Sequence, residues 1–459
     1  MSKHKLPVKI IQFGKGNFLR GFSTWMIEIL NEETDFNGCI EIVETFDTIK
    51  SQQLIDQDFK YHVIERGIEN NSIIDRITKI NAVTGLTNAV KEYNKFLKLA
   101  LDPQLKFIIS NTTEAGIIFK NEDTDISTPQ TFPSRLTALL FHRFQHLGHL
   151  EEHIFVLTCE LIDKNADTLK SFVLKYCELW KLSLEFIEWI GKSIVFCNTL
   201  VDRIVSGYPR IPETFHKRID FQDELLVECE PFHFWAIEKK GGINKVLPVH
   251  KTKLNVQFVE NIKPYKDIKV RILNGAHTAM VALGMVNGIK TVDEFMHHKL
   301  LSAFLENMLN DEILPTLSRN HNDSNDFKDK VYDRFKNPFL KHQLSAIQLN
   351  SISKFRSRLL PTLKDYLSIK GSLPHYITEV LAHLFLLYRD SHSPSGFELK
   401  DDPRVLDIFR KAWSQNNLET TLSILLGNKI LWGENLCLIK DLKDEIAAIL
   451  ERLNTAKEM

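Results

Sequence analysis

A lysine, an amide and an imidazole stand close together in Lys269-Val270-Arg271-Ile272-Leu273-Asn274-Gly275-Ala276-His277, spaced Lys-x4-Asn-x2-His. Side chains of these types exchange a proton and donate hydrogen bonds. On an α-helix Asn274 and His277 would lie about 140° and about 80° around from Lys269. Asn274 and His277 themselves, three apart, would be neighbours on one face. The run continues through apolar residues 279–286, so the polar trio borders something buried. Spacing alone suits catalysis, and it equally suits a surface lysine beside a hydrogen-bonded core Asn–His pair.

The second constellation is Gly14-Lys15-Gly16-Asn17-Phe18-Leu19-Arg20, directly after an apolar run and directly before a helical pattern. A glycine at a strand end permits a tight turn, and a second lets the backbone approach a pyrophosphate with no Cβ in the way. The helix N-terminus that follows offers unpaired N–H groups to a phosphate. Gly14 and Gly16 are therefore the expected dinucleotide turn, although Leu19 stands where the GxGxxG fingerprint has its third glycine. An acid about 20 or more residues further on usually holds the adenosine ribose. Glu44 and Asp47 are the candidates, and an acid there favours NAD over NADP by repelling a 2′-phosphate. Ser110-Asn111-Thr112-Thr113-Glu114-Ala115-Gly116 follows a later strand. Asn111 and Thr112 stand where ligands bind at the carboxyl ends of parallel strands, and they also suit a helix N-cap.

These groups need elements to position them. Residues 8–13, 39–43, 107–110, 154–158 and 194–196 are short, nearly continuous apolar runs. Helical patterns separate them, as in residues 18–30, where Phe18, Phe22, Trp25, Met26, Ile29 and Leu30 repeat at helical spacing. Short buried strands alternating with helices predict βαβ crossovers and a parallel sheet. From Lys269 onward the dominant period is 3.6, as in residues 292–309, 376–389 and 439–453, with Pro315, Pro361, Gly371 and Pro374 as breakers. The polar residues 318–329 read as a surface loop. The expected class is α/β: a Rossmann-type parallel-sheet NAD-binding domain over residues 1–240, and a mostly α-helical substrate-binding and catalytic domain over 241–459.

Composition narrows the function. Among 459 residues, 58 basic side chains balance 59 acidic ones for a net charge of −1, which provides no general field for nucleic acid or anionic lipid. No apolar run approaches the ~20 residues of a membrane span, and the N-terminal run is too short for a signal peptide. The six cysteines form no CxxC pair, so they read as reduced, mostly buried thiols of a cytoplasmic protein, with no disulfide framework or metal site. The expected partner is a small molecule, bound by a monomer or small homo-oligomer, with no nucleic acid and no membrane.

Lys269-x4-Asn274-x2-His277 is similar to the signature of the polyol-specific long-chain dehydrogenases, the mannitol dehydrogenase family. Gly14-x-Gly16-Asn17-Phe18-x-Arg20 resembles that family's cofactor motif. Residues 110–116, Asn198-Thr199-Leu200-Val201-Asp202-Arg203 and Glu230-Pro231-Phe232-His233-Phe234-Trp235 resemble further blocks, all in one order over roughly residues 8 to 365. The resemblance implies a metal-independent NAD(H) oxidoreductase that interconverts a keto sugar or keto-sugar acid and its alcohol. It implies that Asn17, Phe18 and Arg20 join the two glycines at the cofactor. By the same resemblance Lys269 is the general acid–base, and Asn274 and His277 hold the substrate oxygen. The chemistry is consistent, since hydride transfer to a ketone develops negative charge on oxygen, which donors stabilise and a protonated lysine neutralises. A free lysine titrates near about 10.4, so burial or neighbouring positive charge must bring it toward the working pH. Lys263, Lys266 and Arg271 supply such charge in the sequence.

Asn198, Asp202, Glu230 and His233 resemble family positions near the substrate, although Asp202–Arg203 also suits an interdomain ion pair. Lys354 resembles a substrate-binding lysine of the family. Mannitol-type members have an arginine eight residues before it, where this chain has Ala346, which speaks against mannitol. Arg356 and Arg358, just beyond Lys354, suit paired hydrogen bonds to a carboxylate as well as they suit solvated helix charges. The resemblance implies a sugar acid as the substrate, with Arg356 counted in the substrate set. The rival reading from another class is a nucleotide-sensing protein that keeps the scaffold without turnover, yet a sensor has no evident need of the Lys269–Asn274–His277 trio.

Overall fold

The apolar runs become strands. Those of the described residues are, in chain order, β1 (Val8–Phe13), β2 (Cys39–Glu44), β3 (Tyr61–Glu69), β4 (Ser72–Ile80), β5 (Val83–Asn88), β6 (Phe107–Ser110), β7 (Ile154–Thr158), β8 (Ile194–Cys197), β9 (Thr199–Asp202), β10 (Val205–Gly207), β11 (Val227–Cys229), β12 (Phe234–Glu238) and β13 (Val256–Val259). The computed structural model describes residues 6–46, 48–112, 116–317, 321–389 and 399–458, with the main chain alone at 321–323 and 456–458. The chain divides into two units, Met1–Arg66 with Ile73–Ile262 and Gly67–Ser72 with Lys263–Met459.

In the first unit six strands form a sheet in the order β5-β2-β1-β6-β7-β8, and every neighbouring pair is parallel. Ile10, Ile40, Ile42, Phe107 and Ile109 pack into one hydrophobic cluster, while Ile11, Val43, Ile108 and Val156 pack into another. Burial on both faces is why these strands read as continuous apolar runs rather than alternating ones. The chain winds outward from β1 through β2 in one direction and through β6 in the other. The strand order therefore reverses between β1 and β6, and ligands bind outside the carboxyl ends at such a switch point. Two small sheets, β10-β11-β3-β4 and β13-β12-β9, complete the strand inventory.

The second unit is helical. The helix Gly275–Val286 is buried at all twelve positions, as expected of a helix that is apolar all round. The helix His375–Leu387, also largely buried, packs against it. Three expectations are corrected. The pattern over residues 18–30 splits into Asn17–Arg20 and Ser23–Glu33, because the backbone leaves the helical region at Phe22, with φ −129 and ψ −90. The run 292–309 breaks into Val292–His297 and Lys299–Asn307, followed by a π-helical turn at Met308–Ile313. The polar stretch read as a loop at 318–329 is helical from His321 to Phe335, while 318–320 lie outside the described residues.

Candidate active site

The Lys-x4-Asn segment is not an α-helix. Lys263–Ile268 is α-helical, Lys269–Asn274 is π-helical, and Gly275–Val286 resumes the α-helix. The Gly275 N–H reaches back five residues to the Val270 carbonyl. Closing bonds five residues apart places residue i+5 about one turn beyond residue i. Lys269 and Asn274 thus come toward one face, where an α-helix would have set them about 140° apart. His277, three residues on, stays beside Asn274. By that geometry the π-turn, unlike an α-helix, turns the three groups toward one strip.

Within that strip Lys269 and Asn274 are half-buried and His277 is buried. The Asn274 amide makes no hydrogen bond among the described residues, whereas its main-chain carbonyl accepts from Thr278 Oγ1 at 2.9 Å and Arg358 Nη1 at 3.3 Å. His277 lies against Phe335 at 4.9 Å and edge-on to His342 at 5.2 Å. Burial, with Arg334 nearby, keeps His342 below the ordinary histidine range. The positive charges expected to press on Lys269 are largely spent elsewhere. Arg271 is paired with Asp365 at 2.6 Å and donates to Thr316, and Lys263 is paired with Asp267 at 2.7 Å.

A second π-turn bears on the same unit. Glu312, within Met308–Ile313, is buried and accepts the N–H groups of Tyr376 and Ile377 at 2.7 and 2.8 Å, capping the core helix His375–Leu387. Burial pushes its carboxyl up to about 7 against those hydrogen bonds. The folded protein therefore keeps a proton that the unfolded chain loses near about 4.3. Stability from this group is fully present below that pH and is lost as pH rises through about 7, a change on the order of 3 kcal/mol. Urea unfolding between pH 5 and pH 8 is expected to show that decline and Glu312→Gln to flatten it; an unchanged profile would remove Glu312 as the cause.

In the first unit Gly14 leaves β1 with φ +117 and donates to the Val43 carbonyl at 3.1 Å, a backbone conformation that favours glycine. A Cβ added at Gly16 would meet nothing within 4 Å, so the turn presents open backbone. The helix after it has only four residues, Asn17–Arg20, and so brings little of the expected helix-terminal charge. Phe18 stacks on Phe22 at 4.9 Å. Arg20 is buried and donates to the Leu225 carbonyl and to Asn17 Oδ1, which also accepts from Lys50 at 2.9 Å. Arg20 thus holds Asn17 from behind.

Glu44 ends β2, paired with Lys15 and accepting from Ser51 Oγ at 2.8 Å. It lines a cavity of about 180 Å³ with Thr48, Ser51, Leu86, Asn88 and Glu92. Asp47, the other ribose candidate, and residues 113–115 lie outside the described residues. At the carboxyl end of β6, Asn111 donates to the Cys159 carbonyl at 2.8 Å, and Thr112 donates through N and Oγ1 to Glu160. Glu160 also accepts from Ser110, and its burial raises its carboxyl above the ordinary range. The sequence held no signal for Glu160 beyond an acid after a strand. An open turn, a loop pinned at the switch point and an acid-lined cavity together fit a dinucleotide.

Of the remaining first-unit candidates, Asn198, Glu230 and His233 hydrogen-bond within that unit. Asn198 Oδ1 accepts from Ala166 and Asp167 N–H, and Nδ2 donates to Asp167 and Glu238. Glu230 is buried and accepts the Ile204 N–H at 2.6 Å. His233 Nδ1 donates to the Pro231 carbonyl, and Nε2 accepts from Asn255 N–H. Burial, with Arg203 nearby, lowers its ring to about 3, so the imidazole is neutral. Asp202 is buried at the end of β9, in register with Phe234. Arg203 pairs with Glu65 at 2.9 Å inside the first unit. In the second unit Lys354 donates to the Ile347 carbonyl at 2.6 Å, and Arg356 is exposed.

Among the described residues no three His, Cys, Asp or Glu side chains gather as a metal site, and no helix is long and apolar enough to cross a membrane. Five cysteines are buried and Cys437 is exposed, all of them free.

The comparisons with known proteins agree across the whole length. The Mannitol dehydrogenase Rossmann domain model matches residues 8–251, and the Mannitol dehydrogenase C-terminal domain model matches 261–454. The chain is 40% identical to an altronate oxidoreductase of Bacillus subtilis (strain 168), covering 98% of this chain and 93% of that protein. It is 39% identical to an altronate oxidoreductase of Escherichia coli O139:H28, covering 97% and 95%. A D-sorbitol dehydrogenase in substrate-free form shares the fold with a TM-score of 0.83 at 20% identity, over 98% of this chain and 94% of that one. The Pseudomonas fluorescens mannitol 2-dehydrogenase, in ternary complex with NAD and D-mannitol, does so with a TM-score of 0.70 at 21% identity, over 98% and 95%.

Proposed function

Because the chain belongs to the mannitol dehydrogenase family, we propose that it is an NAD(H)-dependent sugar-acid oxidoreductase that interconverts tagaturonate and altronate. The names of its relatives support the substrate. The observation that supports the reaction is the π-turn at Lys269–Asn274, whose five-residue closure would turn Lys269 and Asn274 toward one face. NADH would supply the hydride. Gly14, Gly16, Asn17 and Phe18 form the turn along the dinucleotide, with Arg20 holding Asn17. Glu44 takes the adenosine ribose at its cavity, and Asn111 and Thr112 border the switch point. Lys269 gives its proton to the oxygen that receives negative charge, while Asn274 and His277 donate hydrogen bonds to it. In the reverse direction neutral Lys269 accepts the alcohol proton. Lys354 contacts substrate oxygens, and Asn198, Asp202, Glu230 and His233 set the framework of the first unit. The protein acts in the cytoplasm as a monomer or small homo-oligomer.

The test is NADH oxidation followed by absorbance with tagaturonate, fructuronate and fructose side by side. Tagaturonate is expected to be turned over fastest. Fructose as the best substrate would move the chain to a polyol-specific member. No turnover alongside measurable NADH binding would favour the sensor reading.

A further inference from the structure

The helix Ser351–Arg358 carries two cations one turn apart, Lys354 and Arg358, which share a face. Arg356 lies about 200° around from Lys354, is exposed, and has its Cδ 4.0 Å from a Cβ built on Gly433. The fold thus turns Arg358, and not Arg356, toward the Lys-x4-Asn segment. Arg358 Nη1 donates to the Asn274 carbonyl at 3.3 Å and to Thr278 Oγ1 at 3.2 Å. Both acceptors are neutral. Nε and Nη2, one planar edge of the guanidinium, have no hydrogen-bond partner among the described residues, and no carboxylate there pairs with it. Burial pushes the group down to about 10 with no acid to offset it. Lys354 adds like charge on the same face, with Asp401 as its acidic neighbour.

A half-buried cation, steered through one nitrogen and open along its Nε–Nη2 edge, has the geometry that binds a carboxylate by two parallel hydrogen bonds. We propose that Arg358 is the specificity-determining residue that recognises the substrate's carboxylate, anchored beside Asn274 by the same side chain's bonds to the Asn274 carbonyl and Thr278. The assignment rests on the sugar-acid reading above. It places selection between a sugar acid and a neutral sugar in the second unit, one helical turn beyond Lys354. It also gives Thr278 a role: its hydroxyl accepts from Arg358 while donating to the Asn274 carbonyl at 2.9 Å.

The experiment is steady-state kinetics at saturating NADH with tagaturonate, fructuronate and fructose, for the wild type, Arg358→Gln and Arg358→Lys. Losing a charge-assisted bidentate contact is expected to raise KM for the uronates by about 10- to 100-fold. Their kcat should stay within about threefold, and kcat/KM for fructose should not fall. Arg358→Lys, which keeps charge but not the fork, should recover only part of the loss. As a second measurement, gluconate should inhibit the wild type at least about tenfold more strongly than sorbitol, an advantage that Arg358→Lys narrows. If Arg358→Gln does not fold, the Arg358→Lys kinetics and this inhibition decide. A wild type active on uronates whose variants lose kcat equally on uronates and fructose would overturn the assignment and leave Arg358 a holder of the π-turn. A wild type inactive on every uronate would overturn the sugar-acid reading, and this assignment with it.

Discussion

Lys269→Ala is expected to lower kcat for ketone reduction by about 10²- to 10⁴-fold, the range usual for removing a positioned general acid. NADH affinity should be nearly unchanged, because the turn and the Glu44 cavity proposed above to hold the dinucleotide belong to the other unit. Lys269→Arg is the sharper companion. Arginine keeps the charge and can donate hydrogen bonds, but it does not give up its proton in the working pH range. It should therefore recover substrate binding and little of the turnover. The measurement is single-turnover NADH oxidation with circular dichroism to verify folding. An alanine variant within about threefold of wild type would remove Lys269 from the mechanism and return the segment to the surface-lysine reading.

The largest expected loss of stability follows from Arg203. Its side chain is fully buried and Glu65 is 3% exposed, with the two 2.9 Å apart. The guanidinium also donates to the Glu230 and Gly21 carbonyls and lies 4.1 Å from the Trp25 ring. Arg203→Met should cost about 3–5 kcal/mol, because it leaves a carboxylate and two carbonyls buried without their donor. The exposed Arg76, 3.4 Å from Glu65, offsets part of this and places the result toward the lower end. Adding Glu65→Gln should restore part of the loss, since the uncompensated charge is then gone. Urea midpoints for the two variants and wild type measure it. A loss below about 1 kcal/mol would mean that water or Arg76 already satisfies Glu65.

Arg203 also illustrates what a motif can and cannot say. It stands in a block legible in the sequence, yet nothing in the block told whether its charge faces a ligand, another domain or the core. The same holds for Asn198, Glu230 and His233, whose polar atoms the fold engages within the first unit. Likewise Arg356 and Arg358 are equivalent as letters, and only the direction of Ser351–Arg358 separates an exposed side chain from one bonded to Asn274.

By itself the sequence determined the parallel sheet, because strands buried on both faces must be apolar throughout and the helices between them must carry one apolar face. β1, β6 and β7 fall where the runs predict them, and Gly14 marks the end of the first strand. β5 was not legible: Val-Thr-Gly-Leu-Thr-Asn lies outside the apolar runs, and in the strand Gly85 leaves room for Glu41, which accepts from Thr87 Oγ1 at 2.6 Å. The tertiary structure alone decided the alignment of the candidate catalytic groups. A 3.6-residue period places Lys269 and Asn274 on different faces, and nothing local announces a π-turn. Such a turn forgoes regular α-helical bonding and persists where packing on both sides favours it. Here Gly275 sits tightly enough that a Cβ would lie 3.1 Å from Leu359 and 3.8 Å from Ile313. Those contacts come from segments about 40 and 80 residues further along the chain, beyond the reach of any local pattern.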